Sequence, residues 1–189
     1  VNWKASTLIG LVAIVSAGCV SESSPFSRAN PAFEKYYNGP TAKSKALEKS
    51  FSGHTRMTYE PVHGTQVEYF SPDGRTYLWY PGNTVVLPGL WEVRSYTMPN
   101  LDLTNINRPV VRVEEVIPLC FQYGKKTYNP ATRKHGDYWS CSIASPRPIT
   151  RGELRQGDIF RLSERVKPPF ILPKDKTTFT ALLKQCGDC

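Results

Sequence analysis

The stretch TQVEYFSPDGRTYLWYPGNTVVLPGLWEVRSY, residues 65–96, decides the fold. β-Branched and aromatic residues alternate with polar ones, and Ser71-Pro72-Asp73-Gly74 interrupts them with turn formers. It therefore reads as strand, tight turn, strand, loop and strand. Tyr77 and Trp79 share one face of their run, and Trp91 and Val93 share a face of the next. Three neighbouring strands would then pool large rings into one core.

Outward from this centre the same pattern recurs. Strands are predicted over 55–60, 65–70, 75–80, 89–96, 110–116, 119–123, 138–144 and 158–163, with turn formers in nearly every gap. The fold class is mainly β: an antiparallel meander closing into a small barrel or a two-layer sandwich, with short flanking helices. Thr41 is placed to cap a helix ending at Ser50 or Phe51, with Gly53 as its terminator, and 176–185 suits a terminal helix. Residues 98–108 are polar and Asn-rich and read as an exposed loop. The Pro-punctuated stretch 166–173 reads as extended chain crossing a surface.

With 189 residues there is room for one domain together with a targeting segment and tails. The expected division is a leader over 1–18, a tether over 19–40, a β-domain over 41–163 and a C-terminal extension over 164–189. The tether is rich in Ser, Pro and Asn, and its alternative is an irregular strap docked through Phe33, Tyr36 and Tyr37. The net charge of +8 favours an anionic envelope component as partner. Lys and Arg are spread along the chain, clustering only at Lys125-Lys126 and Arg133-Lys134, which describes a solvated basic surface. No specific nucleic-acid partner is expected.

At the amino end Lys4 precedes an apolar run over 5–15, too short to span a bilayer and of the right length for a secretory leader. Ser16-Ala17-Gly18-Cys19 follows, and it resembles the lipobox of bacterial lipoproteins. The resemblance implies that Cys19 carries a lipid and anchors the protein to the membrane. Val20 after it implies the periplasmic face of the outer membrane. Ordinary cleavage after Ala17 is the alternative. Five cysteines leave an even four once Cys19 is assigned to lipid, which suits an oxidising compartment.

A second resemblance runs over about 45–163. Leu47, Phe51-Ser-Gly53-His-Thr55, Tyr69-Phe70-Ser-Pro-Asp73-Gly74-Arg75, Gly89-Leu-Trp91, Cys120 with Tyr123, Trp139-Ser-Cys141 and Gly157-Asp158-Ile-Phe160 carry it. Together they look like a family of small exported bacterial β-proteins known only as a domain of unknown function. The resemblance implies a β-fold and brings no catalytic residues with it.

Cys120 and Cys141 lie on two strands joined by a long loop, and a register that sets them opposite each other makes a cross-strand disulfide reasonable. Neither has a second cysteine or histidine at ligand spacing, so no metal is expected. Cys186-Gly187-Asp188-Cys189 matches the dithiol pattern of redox proteins, yet it follows a helix, whose negative end disfavours a thiolate. A terminal disulfide or pairing elsewhere is preferred. His54, His63 and His135 are the only histidines, and no nucleophile elbow, Walker loop or phosphate-binding glycine loop occurs.

The expectation is a lipid-anchored envelope protein that binds or scaffolds, without enzymatic activity, cofactor or metal. The first alternative is a lipocalin-like carrier whose cavity is lined by Tyr77, Trp79, Trp91 and Trp139. The second is a thiol-disulfide redox protein.

Overall fold

In the computed structural model of this chain, residues 34–102, 110–129, 134–143 and 152–189 are described. The expected leader, Cys19, Phe33 and most of the tether lie outside the described residues.

Thr41 opens helix α1 (Ala42–Phe51) through a reciprocal cap: its side chain accepts from Ser44 N–H while Ser44 Oγ accepts from Thr41 N–H. Gly53, at φ 72°, turns the chain out of the helix as only glycine does without strain. Four strands then run as a meander: β1 (His54–Glu60), β2 (Gly64–Phe70), β3 (Arg75–Trp79) and β4 (Leu87–Val93). A separate two-stranded ribbon follows, β5 (Tyr96–Asp102) with β6 (Val110–Val116). β7 (Pro118–Tyr123) returns to pair with β4, a small hairpin of β8 (Tyr128–Asn129) and β9 (Lys134–His135) projects, and β10 (Ser140–Ile143) pairs with β7. β11 (Glu153–Gln156) crosses to the far edge beside β1. The result is a seven-stranded antiparallel sheet in the order β10-β7-β4-β3-β2-β1-β11, curled into a half-barrel.

Because side chains alternate along a strand, the register assigns each residue to a face. On the convex face Met57, Val67 and Trp79 pack against Phe160, Leu162, Leu172, Phe179 and Leu182 from the C-terminal segment. Trp79 meets Phe160 and Phe170 edge-on, and its indole N–H donates to Phe170 O at 3.1 Å. Thr55 and Thr65, fully buried on this face, donate to Gly157 O and Asp175 O at 2.6 Å each. Residues 158–186, which include helix α2 (Phe179–Gln185), therefore complete the core on this face. On the concave face α1 covers one end, setting Phe51 and Leu47 against Phe70, Trp91, Leu119 and Phe121.

Several expectations are corrected. The large rings do not form one core: Tyr77 and Trp79 lie on the convex face, whereas Trp91 lies on the concave one. The strand expected over 89–96 breaks at Arg94-Ser95, where buried Arg94 packs against the paired rings of Tyr37 and Tyr96 and forks onto Glu34 at 2.9 and 3.2 Å. The chain there leaves the main sheet for the ribbon. The loop expected over 98–108 is strand as far as Asp102, with Pro99 tolerated because a two-stranded ribbon consists of edges. The strand expected over 158–163 is a turn leading to a 3-10 helix (Leu162–Glu164). Asp158 accepts there from Leu162 N–H and Ser163 N–H at 2.8 Å. Phe160 and Leu162 are both buried, which produces a spacing of two without a strand. β11 went unpredicted because Glu153-Leu154-Arg155-Gln156 has no apolar alternation at its exposed edge.

Of the two readings left open for the tether, residues 34–38 form a strap. Tyr37 bridges to Tyr96, and Thr97 N–H donates to Tyr36 O at 2.9 Å. Among the described residues no helix is long and apolar enough to cross a membrane.

Candidate functional site

The part of the concave face that α1 leaves uncovered is an open cleft of about 710 Å³. Its walls carry apolar side chains, Leu78 on β3, Leu87 on β4, and Leu119 and Phe121 on β7, alongside the polar Thr58, Gln66, Ser140 and Ser142. The β1–β2 turn with Val62 and His63 forms one rim, and Tyr128, His135 and Tyr138 around the β8–β9 hairpin form the other. His63 Nδ1 lies 2.8 Å from Tyr80 Oη, and Tyr128 packs against His135 with ring centroids 5.2 Å apart.

Charge sits on the floor. Arg56 on β1 and Glu68 on β2 are directly opposed in the register, so their side chains emerge side by side on the concave face. Arg56 Nη2 lies 3.7 Å from Glu68 Oε2, an ion pair without a short hydrogen bond. The guanidinium also lies over the rings of Phe51 and Phe70, at 5.5 and 5.3 Å. The other carboxylate oxygen, Glu68 Oε1, accepts from Thr76 Oγ1 at 2.8 Å and from the Tyr123 hydroxyl at 2.5 Å.

Tyr123 belongs to β7, with β4 and β3 between it and Glu68. Its reach depends on the curl of the sheet and on Gly89, which opposes it on β4. A Cβ at Gly89 would lie 2.7 Å from Gln122 O and 2.8 Å from Tyr123 Cδ1, so a bare backbone is what lets the ring lie flat across β4.

Burial dominates the electrostatics. It raises the Glu68 carboxyl above its usual 4.5, against the opposing pull of Arg56, Tyr123 and Thr76. Tyr123 is raised well above 10.0, first by burial and then by the charge and hydrogen bond of Glu68. Glu68, Thr76 and Tyr123 satisfy one another on this floor, beside the apolar side chains of Leu78, Leu87, Leu119 and Phe121.

The residues expected to line a cavity are elsewhere. Tyr77 stacks on Tyr69 beside the convex core that buries Trp79, Trp91 is sealed under α1, and Trp139 packs beside the Cys120–Cys141 bond. None of these four lines the cleft. The alternation showed that each ring has a face but not which face is left open. Arg56, Glu68 and Tyr123 were missed as a group. The available signal was a carboxylate between Val67 and Phe70 in an apolar run.

Cys120 and Cys141 are opposite each other in the register and bonded, stapling β7 to β10. Cys186 and Cys189 are bonded as well, just beyond α2, with Asp188 between them paired to Arg165. With both sulfurs in a bond, the Cys186, Asp188 and Cys189 group offers no thiolate to a metal. His54 turns its Nδ1 to Ser52 O at 2.8 Å.

No family model, curated protein or solved structure matches this chain.

Proposed function

We propose that this protein is a non-enzymatic binding protein of the cell envelope, anchored by lipid at Cys19, whose half-barrel takes up a small molecule with an apolar body. The observation that carries the reading is the cleft. At about 710 Å³ it has the volume of a small-molecule site, with apolar side chains on its walls and polar groups among them. The anchor and the envelope location rest on the sequence pattern over 1–19 alone. Intact mass of the protein recovered from membranes tests them: an unmodified Cys19 overturns that half of the proposal.

Binding is tested with the full chain carrying Cys19→Ser, in detergent-free buffer. The probe is the uncharged dye N-phenyl-1-naphthylamine, whose fluorescence rises in apolar surroundings. Saturable enhancement is expected, lost in Leu87→Arg, which puts a charge on the wall, and kept in Val166→Arg, at an exposed position outside the cleft. Absence of enhancement in the parent protein, or equal enhancement in Leu87→Arg, refutes the cleft as a binding site.

A further inference from the structure

Among the described residues, one basic group of the cleft is still able to receive a ligand. Arg56 is the only Lys or Arg among the described residues that line it. Its guanidinium carries five N–H donors, and among the described residues it donates no hydrogen bond to protein. Its contact with Glu68 is an ion pair at 3.7 Å, and it also lies over the rings of Phe51 and Phe70. The two rings lie side by side, 5.1 Å apart, and the guanidinium packs against both, which leaves its other side uncovered by them.

The negative groups are placed differently. Glu68 is 6% exposed, and its Oε1 is closed off by Tyr123 and Thr76. Glu60 lies at the exposed rim, close to His63 in the sequence. An incoming anion would thus meet on the floor the guanidinium donors of Arg56, whose nearest carboxylate oxygen, Glu68 Oε2, stands 3.7 Å away and makes no short hydrogen bond to them.

We infer that the cleft selects amphiphiles with an anionic head group, the head taken by the Arg56 guanidinium and the chain laid along Leu78, Leu87, Leu119 and Phe121. Carboxylate and phosphate heads share the required chemistry, since each offers two coplanar oxygens to the guanidinium fork. The inference rests on the cleft being a binding site, as proposed above.

The experiment displaces N-phenyl-1-naphthylamine from the Cys19→Ser protein with four competitors that share a twelve-carbon chain, each kept below its micelle concentration or solubility limit. These are dodecanoate, monododecyl phosphate, dodecan-1-ol and dodecyltrimethylammonium. Both anions should displace the dye at concentrations at least about tenfold lower than the alcohol, the return expected of hydrogen bonds to a charged group. The cation should be the weakest. In Arg56→Gln the advantage of the anions over the alcohol should vanish, and in Arg56→Lys part of it should persist. If Arg56→Gln does not fold, the ranking of the four competitors on the parent protein still decides. Equal displacement by all four, or preference for the cation, overturns the inference while leaving the cleft as a site. Failure of the dye itself to bind removes both.

Discussion

Glu68→Gln tests the electrostatics of the floor directly. Four influences act on this carboxyl: burial, which raises its pKa, and Arg56, Tyr123 and Thr76, which lower it. Burial wins because the side chain is nearly sealed while its countercharge stands 3.7 Å away without a close hydrogen bond. The folded protein therefore keeps the Glu68 proton at pH values where the unfolded chain, titrating near 4.5, has released it. More protons bound in the folded state means that stability falls as pH rises. Relative to Gln, which does not titrate, the contribution of Glu68 is fully present below 4.5 and declines above it. The decline runs at up to about 1.4 kcal/mol per pH unit, until the folded-state pKa is passed. Urea unfolding of both proteins between about pH 4 and 8, followed by the fluorescence of the buried Trp79 and Trp91, measures this difference. Asp73 and Glu115, both held low by hydrogen bonds, contribute in the opposite sense, and their share cancels in the subtraction. A difference that rises with pH through 4.5 would mean that attraction to Arg56 outweighs burial, and would refute the reasoning.

Three further outcomes are expected. Replacing Cys120 and Cys141 by Ser should lower stability by roughly 3 kcal/mol, the loop-closure value for a bridge spanning 21 residues, read from the shift in urea midpoint. No shift would show that the staple adds nothing to the β7–β10 pairing. Gly89→Ala should cost about 1–3 kcal/mol by overpacking, and should also weaken dye binding by pushing Tyr123 off Glu68. Unchanged stability would mean that β4 and β7 separate easily. Phe179→Ala should cost about 3–5 kcal/mol, whereas Leu183→Ala, on the exposed side of the same helix, should stay within about 0.5 kcal/mol. Equal effects in thermal unfolding would contradict the place given to α2 in the core.

Local chemistry was legible where one signal sufficed. Thr41 and Gly53 bracket α1 through a hydroxyl cap and a positive φ, neither of which needs a distant partner. β1, β2, β3 and β7 stand within a residue of expectation, because in each the alternation is long enough to set the strand. The misreadings occur where a distant contact overrides the pattern. Arg94 forks onto Glu34 and ends β4, and Asp158 caps the turn that replaces a strand.

The candidate site was hardly legible at all. Arg56, Glu68, Gly89 and Tyr123 span about 70 positions of the chain, and each alone reads as an ordinary strand residue. Only the strand order β7-β4-β3-β2-β1 and the curl of the sheet bring them together.

The amino-acid sequence by itself determined that this chain forms short antiparallel strands punctuated by turns, with a capped helix before them and another at the end. Propensity and period act over a few residues, and they need no partner. Tertiary structure alone decided which face of the sheet the C-terminal segment would cover and which would stay open as a cleft. That choice depends on how far the sheet curls and where residues 158–186 lie down, both of which are properties of the packed whole.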